Sequence, residues 1–227
     1  MKHYPLRESV VRVILLLLGL WIAHLGVTLF LQTNLGSDPF NVFVQGLFRS
    51  IPWPDFADMT HGRVHLLVSL AIMLFLLVAD RSYIGIGTVL CMALGGPIID
   101  VYTTLLTPII NAELPLSIRL GLLVIGCIIL AFGMTIVIRS QAGTGPNDLV
   151  AVVLSDKTRT PFGPVRIGVD LAFALIGFVL GGVVGLGTIS CAFLVGPSAQ
   201  LFFPISQKIC DMAILQFATN SSCRNQD

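Results

Sequence analysis

An interruption of apolar sequence, present twice, constrains this chain more than anything else in it. Leu35-Gly36-Ser37-Asp38-Pro39-Phe40-Asn41 sets a glycine, a hydroxyl, a carboxylate and a proline between hydrophobic runs, and Ala142-Gly143-Thr144-Gly145-Pro146-Asn147-Asp148 returns in altered form. The offset is constant, since 143 − 36, 144 − 37, 146 − 39 and 148 − 41 are all 107. Upstream, Gly19, Gly26 and Thr28 fall on Gly126, Gly133 and Thr135 at the same spacing. Downstream, an offset of 100 brings Gly85-Ile86-Gly87-Thr88 and Gly96-Pro97 onto Gly185-Leu186-Gly187-Thr188 and Gly196-Pro197. The chain reads as one membrane domain, 1–227, made of two copies of one unit (about 8–110 and about 117–217), with a linker at about 107–116 and a short polar tail at 218–227.

The runs between the breaks decide the class. Hydrophobic residues make up 55% of the 227 and charged residues only 11%, with mean hydropathy +0.92, beyond what a soluble domain can cover with polar surface. An all-α integral membrane protein is expected. Thirteen basic and 12 acidic residues leave a net charge of +1, which argues against nucleic acid as a partner and leaves the bilayer and a small solute, with homo-oligomerisation open. Cys91, Cys127 and Cys191 show no CxxC spacing and read as small packing residues. No cofactor or metal is expected.

In chain order, Lys2, Arg7 and Arg12 precede an apolar run to about Leu31, too long for the hydrophobic region of a signal peptide. His24 stands in the middle of this span, where a histidine is either a packed residue with a backbone partner or a functional group. Pro39 to about Arg49 is apolar but short. Asp55, Asp58 and His61 follow in a polar loop, then spans from about Val64 to Val78 and from Ile84 to about Leu106, joined tightly at Asp80-Arg81. In the second unit Arg119 and Arg139 bracket a span, Pro146 to Leu154 is again short, and Ser155 to Arg166 forms a basic loop. Further spans run from about Ile167 to Val183 and from Gly187 to Phe203, and the stretch from Ile205 to Phe217 extends the last helix or lies on the surface. Eleven to fourteen helical residues rise only about 16–21 Å, well short of the ~30 Å hydrocarbon core, so the short segments are read as re-entrant or broken.

Six full transmembrane helices and two half-helices follow, in an inverted three-plus-three arrangement. With the N-terminus in the cytoplasm, Arg49, Arg63 and Arg119 lie outside and the other ten basic residues inside, both termini included. The alternative, eight crossings in parallel four-plus-four repeats, satisfies the positive-inside rule equally well; segment length favours the first.

Asp38 before Pro39 has the form of an N-cap followed by proline at the first helical position, and Asp148 stands where it can bond back to its cap. These are helix starts on the plain reading. On the functional reading, half-helices entering from opposite faces bring two N-termini toward the bilayer middle, where secondary transporters place their sites. Free N–H groups at such tips favour a negative group, while Asp38 and Asp148 add carboxylates, so the pair suits a zwitterionic or cationic solute. The candidate binding residues are Gly36, Ser37, Asp38, Asn41, Gly143, Thr144, Asn147 and Asp148. No lysine falls inside an expected span to balance the acids.

The candidates for coupling are Asp100, its counterpart Gln200, Asp170 and His24. Asp100 and Gln200 each follow a Gly-Pro kink that frees a carbonyl, and a carboxylate near the bilayer centre costs about 2.5–3.5 kcal/mol. Asp100 could instead reach the interface, and Asp170, whose nearest mate is Ser69, could pair with Arg166 at i+4. Thr88 and Thr188 are read as back-bonders to their own helices.

The Gly-Ser/Thr-x-Pro break after the first helix and the segment Gly85-Ile86-Gly87-Thr88…Gly96-Pro97-Ile98-Ile99-Asp100 resemble the bacterial YczE/YyaS/YitT group of small membrane proteins, over nearly the whole chain and without the soluble C-terminal domain of YitT-type members. The resemblance implies a protein of the bacterial cytoplasmic membrane and names no substrate. Two function classes remain: a secondary transporter, or a membrane accessory protein that assists or regulates a partner. No HExxH, P-loop or Ser/His/Asp set supports an enzyme.

Overall fold

The computed structural model describes residues 5–53, 59, 61–79, 83–110 and 114–223, with side chains to 217. Asp55, Asp58, Asp80, Arg81 and the last four residues of the expected tail lie outside them. The described residues form eight helices and no strand: α1 Leu6–Gln32, α2 Pro39–Ser50, α3 His61–Ala79, α4 Ile86–Leu106, α5 Leu116–Ser140, α6 Pro146–Thr158, α7 Phe162–Val179 and α8 Leu186–Cys223. Six of them, all but α2 and α6, are long and apolar enough to cross a membrane. At 12 and 13 residues, α2 and α6 rise only about 18–20 Å.

Several boundaries differ from the sequence reading. His61 is the first residue of α3 rather than part of a loop. Arg166 lies within α7, because that helix starts at Phe162, directly after Pro161. The stretch after Phe203 continues the last helix through Pro204, as one of the two sequence alternatives had it, but runs on to Cys223, which takes most of the expected polar tail into α8.

Glycines decide which helices touch. A methyl built at Gly133 would lie 2.2 Å from the Ala23 nitrogen, and one at Gly26 would lie 2.3 Å from the Leu130 nitrogen. With Gly19 on Gly133 and Gly26 on Gly126, rising numbers on α1 meet falling numbers on α5, so the two helices pack antiparallel, backbone against backbone. Around this pair α4 runs parallel to α1, with Gly87 at Leu16 and Gly95 at His24, and Gln32 Nε2 donating to the Thr103 carbonyl at 3.2 Å. On the other side α2 lies along α7 through Gly46 and Gly177, and α7 lies against α8 through Gly163 and Gly196.

Positions 107 apart take up matching geometry at the two breaks. Asn34 and Gln141 have φ of 50° and 56°, and Gly36 and Gly143 have 132° and 134°, a region that side-chain-bearing residues rarely adopt. Arg12 Nη1 donates to the Ser140 carbonyl at 3.0 Å, while Arg119 Nε donates to the Thr33 carbonyl at 2.7 Å and Nη2 to Asn34 at 3.2 Å. Each arginine satisfies the orphan carbonyls at the C-terminus of the other's helix. The breaks are tied in the same reciprocal way: Gly87 N–H donates to the Ala142 carbonyl and Gly187 N–H to the Leu35 carbonyl, both at 2.9 Å.

Candidate functional site

The strongest concentration of charge lies on α7. Arg166 is 6% exposed and Asp170 1%. The Arg166 Nε donates to Asp170 Oδ2 at 2.9 Å, one turn along, and its Nη1 donates to Asp148 Oδ1 at 2.6 Å, in the first turn of α6. Gly196 on α8 packs against this turn of α7: a methyl there would stand 2.6 Å from the Gly163 carbonyl oxygen and in ordinary contact, at 3.4 Å, with Arg166 Cβ. A buried charge must be paired and hydrogen-bonded to be tolerated; here one guanidinium serves two carboxylates.

The start of α2 meets the same helix. Asp38 caps α2 by accepting from the Asn41 N–H at 3.1 Å, and the Asn41 amide also donates to its other carboxylate oxygen. His61 Nε2 lies 3.4 Å from Asn41 Oδ1, and His65 stands edge-on to Phe40 with centroids 5.2 Å apart. Phe173 on α7 meets Phe40 at 5.3 Å and Phe43 at 5.4 Å. Thus α7 receives the first turn of α2 at Phe173 and the first turn of α6 at Arg166, seven residues or about 10 Å apart along its axis. Asp170 lies between and is within electrostatic reach of both Asp38 and Asp148, while Asp38 also acts on His61 and His65.

Asp148 and Asp170 therefore come together on Arg166, while Asp38 and Asn41 pair with each other at the start of α2, which meets α7 about 10 Å further along. Asp148 does not bond back to its cap, as α6 has no side-chain cap bond; its carboxylate goes to Arg166. The lack of an intramembrane cation expected from the lysines is made good by that arginine. Gly36 and Gly143 serve backbone approach, the first against Gly185 and the second against the Thr88 nitrogen. Ser37 contributes its carbonyl, which accepts from Thr188 Oγ1 at 2.6 Å. Thr188 is thus a tie between α8 and the first break rather than a back-bonder. Thr88 likewise accepts from the Gly85 N–H at the start of α4. Thr144 Oγ1 is buried and has no hydrogen-bond partner among the described residues, and Asn147 Oδ1 lies over Gly145.

The remaining candidates lie elsewhere or are differently engaged. His24 is bonded through Nδ1 to the Leu20 carbonyl at 2.8 Å and seated on Gly95, as a packed histidine would be, although Asp148 is within electrostatic reach. Gln200 Oε1 accepts from the Gly163 N–H at 3.0 Å, tying α8 to the first turn of α7. Asp100 is exposed on α4, with only its carbonyl engaged, by Thr104. Among the described residues no group of three or more His, Cys, Asp and Glu is placed to hold a metal ion.

Sequence reasoning missed Arg166, His61 and His65 as site residues. One signal was available: an offset of 101 aligns Gly62, Val64 and Ser69 with Gly163, Val165 and Asp170, and so sets His65 on Arg166.

Residues 10–204 match the family described as "Family of unknown function (DUF6198)". An uncharacterized protein of Haemophilus influenzae is 29% identical over 199 residues, covering 86% of this chain and 84% of its own. The uncharacterized membrane protein YczE of Bacillus subtilis is 26% identical over 212 residues (92% and 93%), and the uncharacterized protein YyaS of the same organism 24% over 196 residues (84% and 92%). No solved structure matches. With six apolar helices of spanning length and a match over most of its length, the chain is a multi-pass membrane protein that belongs to the DUF6198 family and is similar to YczE and YyaS.

Proposed function

We propose that the protein is a secondary transporter, not an enzyme, for a small solute that carries a cationic group. One observation supports this above the others: two helices too short to span deliver their N-termini to the same buried charged stretch of α7. The antiparallel contact of α1 with α5 supports inverted repeats, because parallel four-plus-four repeats would run these two helices in the same direction. It also supports reading α2 and α6 as re-entrant. A mid-bilayer position is supported by Cys191, which is within electrostatic reach of Asp170 and lies in the same packed cluster as Cys127; Cys127 is four residues, about 6 Å along α5, from Ala131 in the middle of the α1–α5 crossing. Transporters of inverted-repeat design bind substrate at such broken helices.

The sign of charge favours a cation. Arg166 is already held between Asp148 and Asp170, and Asp38 has no ion pair among the described residues; the rings of Phe40, Phe173 and His65 pack at the same helix start, a setting in which an ammonium gains both Coulombic and cation–π attraction. Bacterial relatives and the basic residues inside favour the cytoplasmic membrane with both termini in the cytoplasm. Thermal stability of the purified protein should be measured with primary amines, quaternary ammonium compounds and amino acids, with simple carboxylates as controls. A solute at one hundred times its Kd stabilises by about 2.7 kcal/mol. Stabilisation by a cationic solute, lost in Asp38→Asn, is expected; no response to any cation overturns the transporter reading in favour of an accessory protein.

A further inference from the structure

The two halves of the chain differ in contact where their sequences agree. In the second half α7 is closed on α8: a methyl at Gly196 would lie 2.6 Å from the Gly163 carbonyl oxygen, and Gln200 accepts from the Gly163 N–H. The counterparts are Gly96 and Asp100 on α4, at an offset of 100, and Gly62 on α3, at 101. There α3 makes no more than marginal contact with α4 among the described residues. A methyl built at Gly96 meets no atom within 4 Å, and the Asp100 side chain is exposed with no partner among the described residues.

In this conformation neither Gly96 nor Asp100 makes a side-chain contact among the described residues. Glycine within a helix is less favourable than alanine, and a carboxylate facing outward from an apolar span is disfavoured. Both have a use if α3 can pack on α4 as α7 packs on α8. Gly96 would then admit the backbone of Gly62, and Asp100 would accept the Gly62 N–H, one of the orphan donors in the first turn of α3.

We propose that the protein exchanges between two conformations related by its internal repeat: the one observed, with α7 closed on α8 and α3 away from α4, and a second in which α3 closes on α4 through Gly62, Gly96 and Asp100 while α7 leaves α8. The charged stretch on α7 and His61 and His65 on α3 lie on the two moving helices, so the exchange turns the site from one side of the membrane to the other. Asp100 is a positioning residue in this scheme, not a ligand. The inference rests on the inverted-repeat part of the proposed function and not on solute binding.

The test is disulfide formation in native membranes. Gly62→Cys with Gly96→Cys is introduced into protein whose own cysteines are replaced by alanine, beside a control pair, Phe30→Cys with Gly126→Cys, whose β-carbons would stand 3.3 Å apart across the α1–α5 contact. Disulfides need Cα atoms within about 7 Å, so the pair at 62 and 96 closes only in the second conformation. Both pairs are expected to oxidise, and adding Asp100→Leu should slow the 62–96 bridge at least about tenfold while leaving the control unchanged, as expected for a lost hydrogen bond to a charged acceptor. A control bridge without a 62–96 bridge overturns the second conformation. A 62–96 bridge indifferent to Asp100→Leu overturns the role of Asp100. A bridge with these properties in a protein that no cation stabilises would retain the exchange and remove the solute.

Discussion

Arg166→Met takes the cation from between two buried carboxylates and keeps most of the side-chain volume. The contacts are 2.6 Å to Asp148 and 2.9 Å to Asp170, with side-chain exposures of 7% for Arg166, 19% for Asp148 and 1% for Asp170. With charge centres about 4 Å apart and an effective dielectric of about 20, each pair contributes about 4 kcal/mol, and repulsion between the two carboxylates at about 7 Å offsets about 2 of the resulting 8. Desolvation opposes the remainder, and removal of one partner from a buried ion pair costs about 3–5 kcal/mol because a charge is left uncompensated. That is the loss expected for Arg166→Met, read from SDS-induced unfolding in mixed micelles by the fluorescence of Trp21 and Trp53. The decisive comparison is the triple variant Asp148→Asn, Arg166→Met, Asp170→Asn, which removes all three charges and should recover most of the loss, since neutral replacement of a buried ionic group is often without penalty. A loss below about 1 kcal/mol in the single variant, or a triple variant no more stable than the single, would refute the pairing argument.

Topology can be read with single cysteines at Pro108 and Lys157 in otherwise cysteine-free protein: an impermeant thiol reagent applied to intact cells should label position 108 and spare 157, whereas parallel repeats would protect both. Gly133→Ala should cost about 1–3 kcal/mol, because its methyl meets the backbone of Ala23 and α1 must move off α5. Gly168→Ala, with no atom within 4 Å, should be neutral or stabilise by up to about 1 kcal/mol in the same unfolding assay; equal effects at the two glycines would contradict the close approach. Asp38→Asn should keep the α2 cap and change stability by no more than about 1 kcal/mol, while removing stabilisation by cations, so that a variant still stabilised by them would reduce Asp38 to a cap.

The sequence by itself determined the membrane class, the six long helices and the two short ones, because apolar run length and the Asp38-Pro39 and Gly145-Pro146 starts are local properties that a helix in lipid must obey. It also placed the candidate acids at the starts of α2 and α6. The Arg166–Asp170 pair, four residues apart on one helix, was one of the two readings the sequence offered and is present; what the sequence could not determine was which charges meet between helices. Arg166 looked like a residue of a basic loop because it stands only five residues beyond Pro161; the start of α7 at Phe162 puts it one turn before Asp170, and the approach of α6 brings Asp148 onto it. The bonds from Arg12 to Ser140 and from Arg119 to Thr33 join residues more than 80 positions apart, and no periodicity within one segment encodes them. The same holds for α3 and α4, whose matched glycine and acceptor specify a possible contact but not whether it is made. Contact between helices is decided by packing over the whole bundle, and in this structure that packing closes α7 on α8 and leaves Gly96 and Asp100 uncovered.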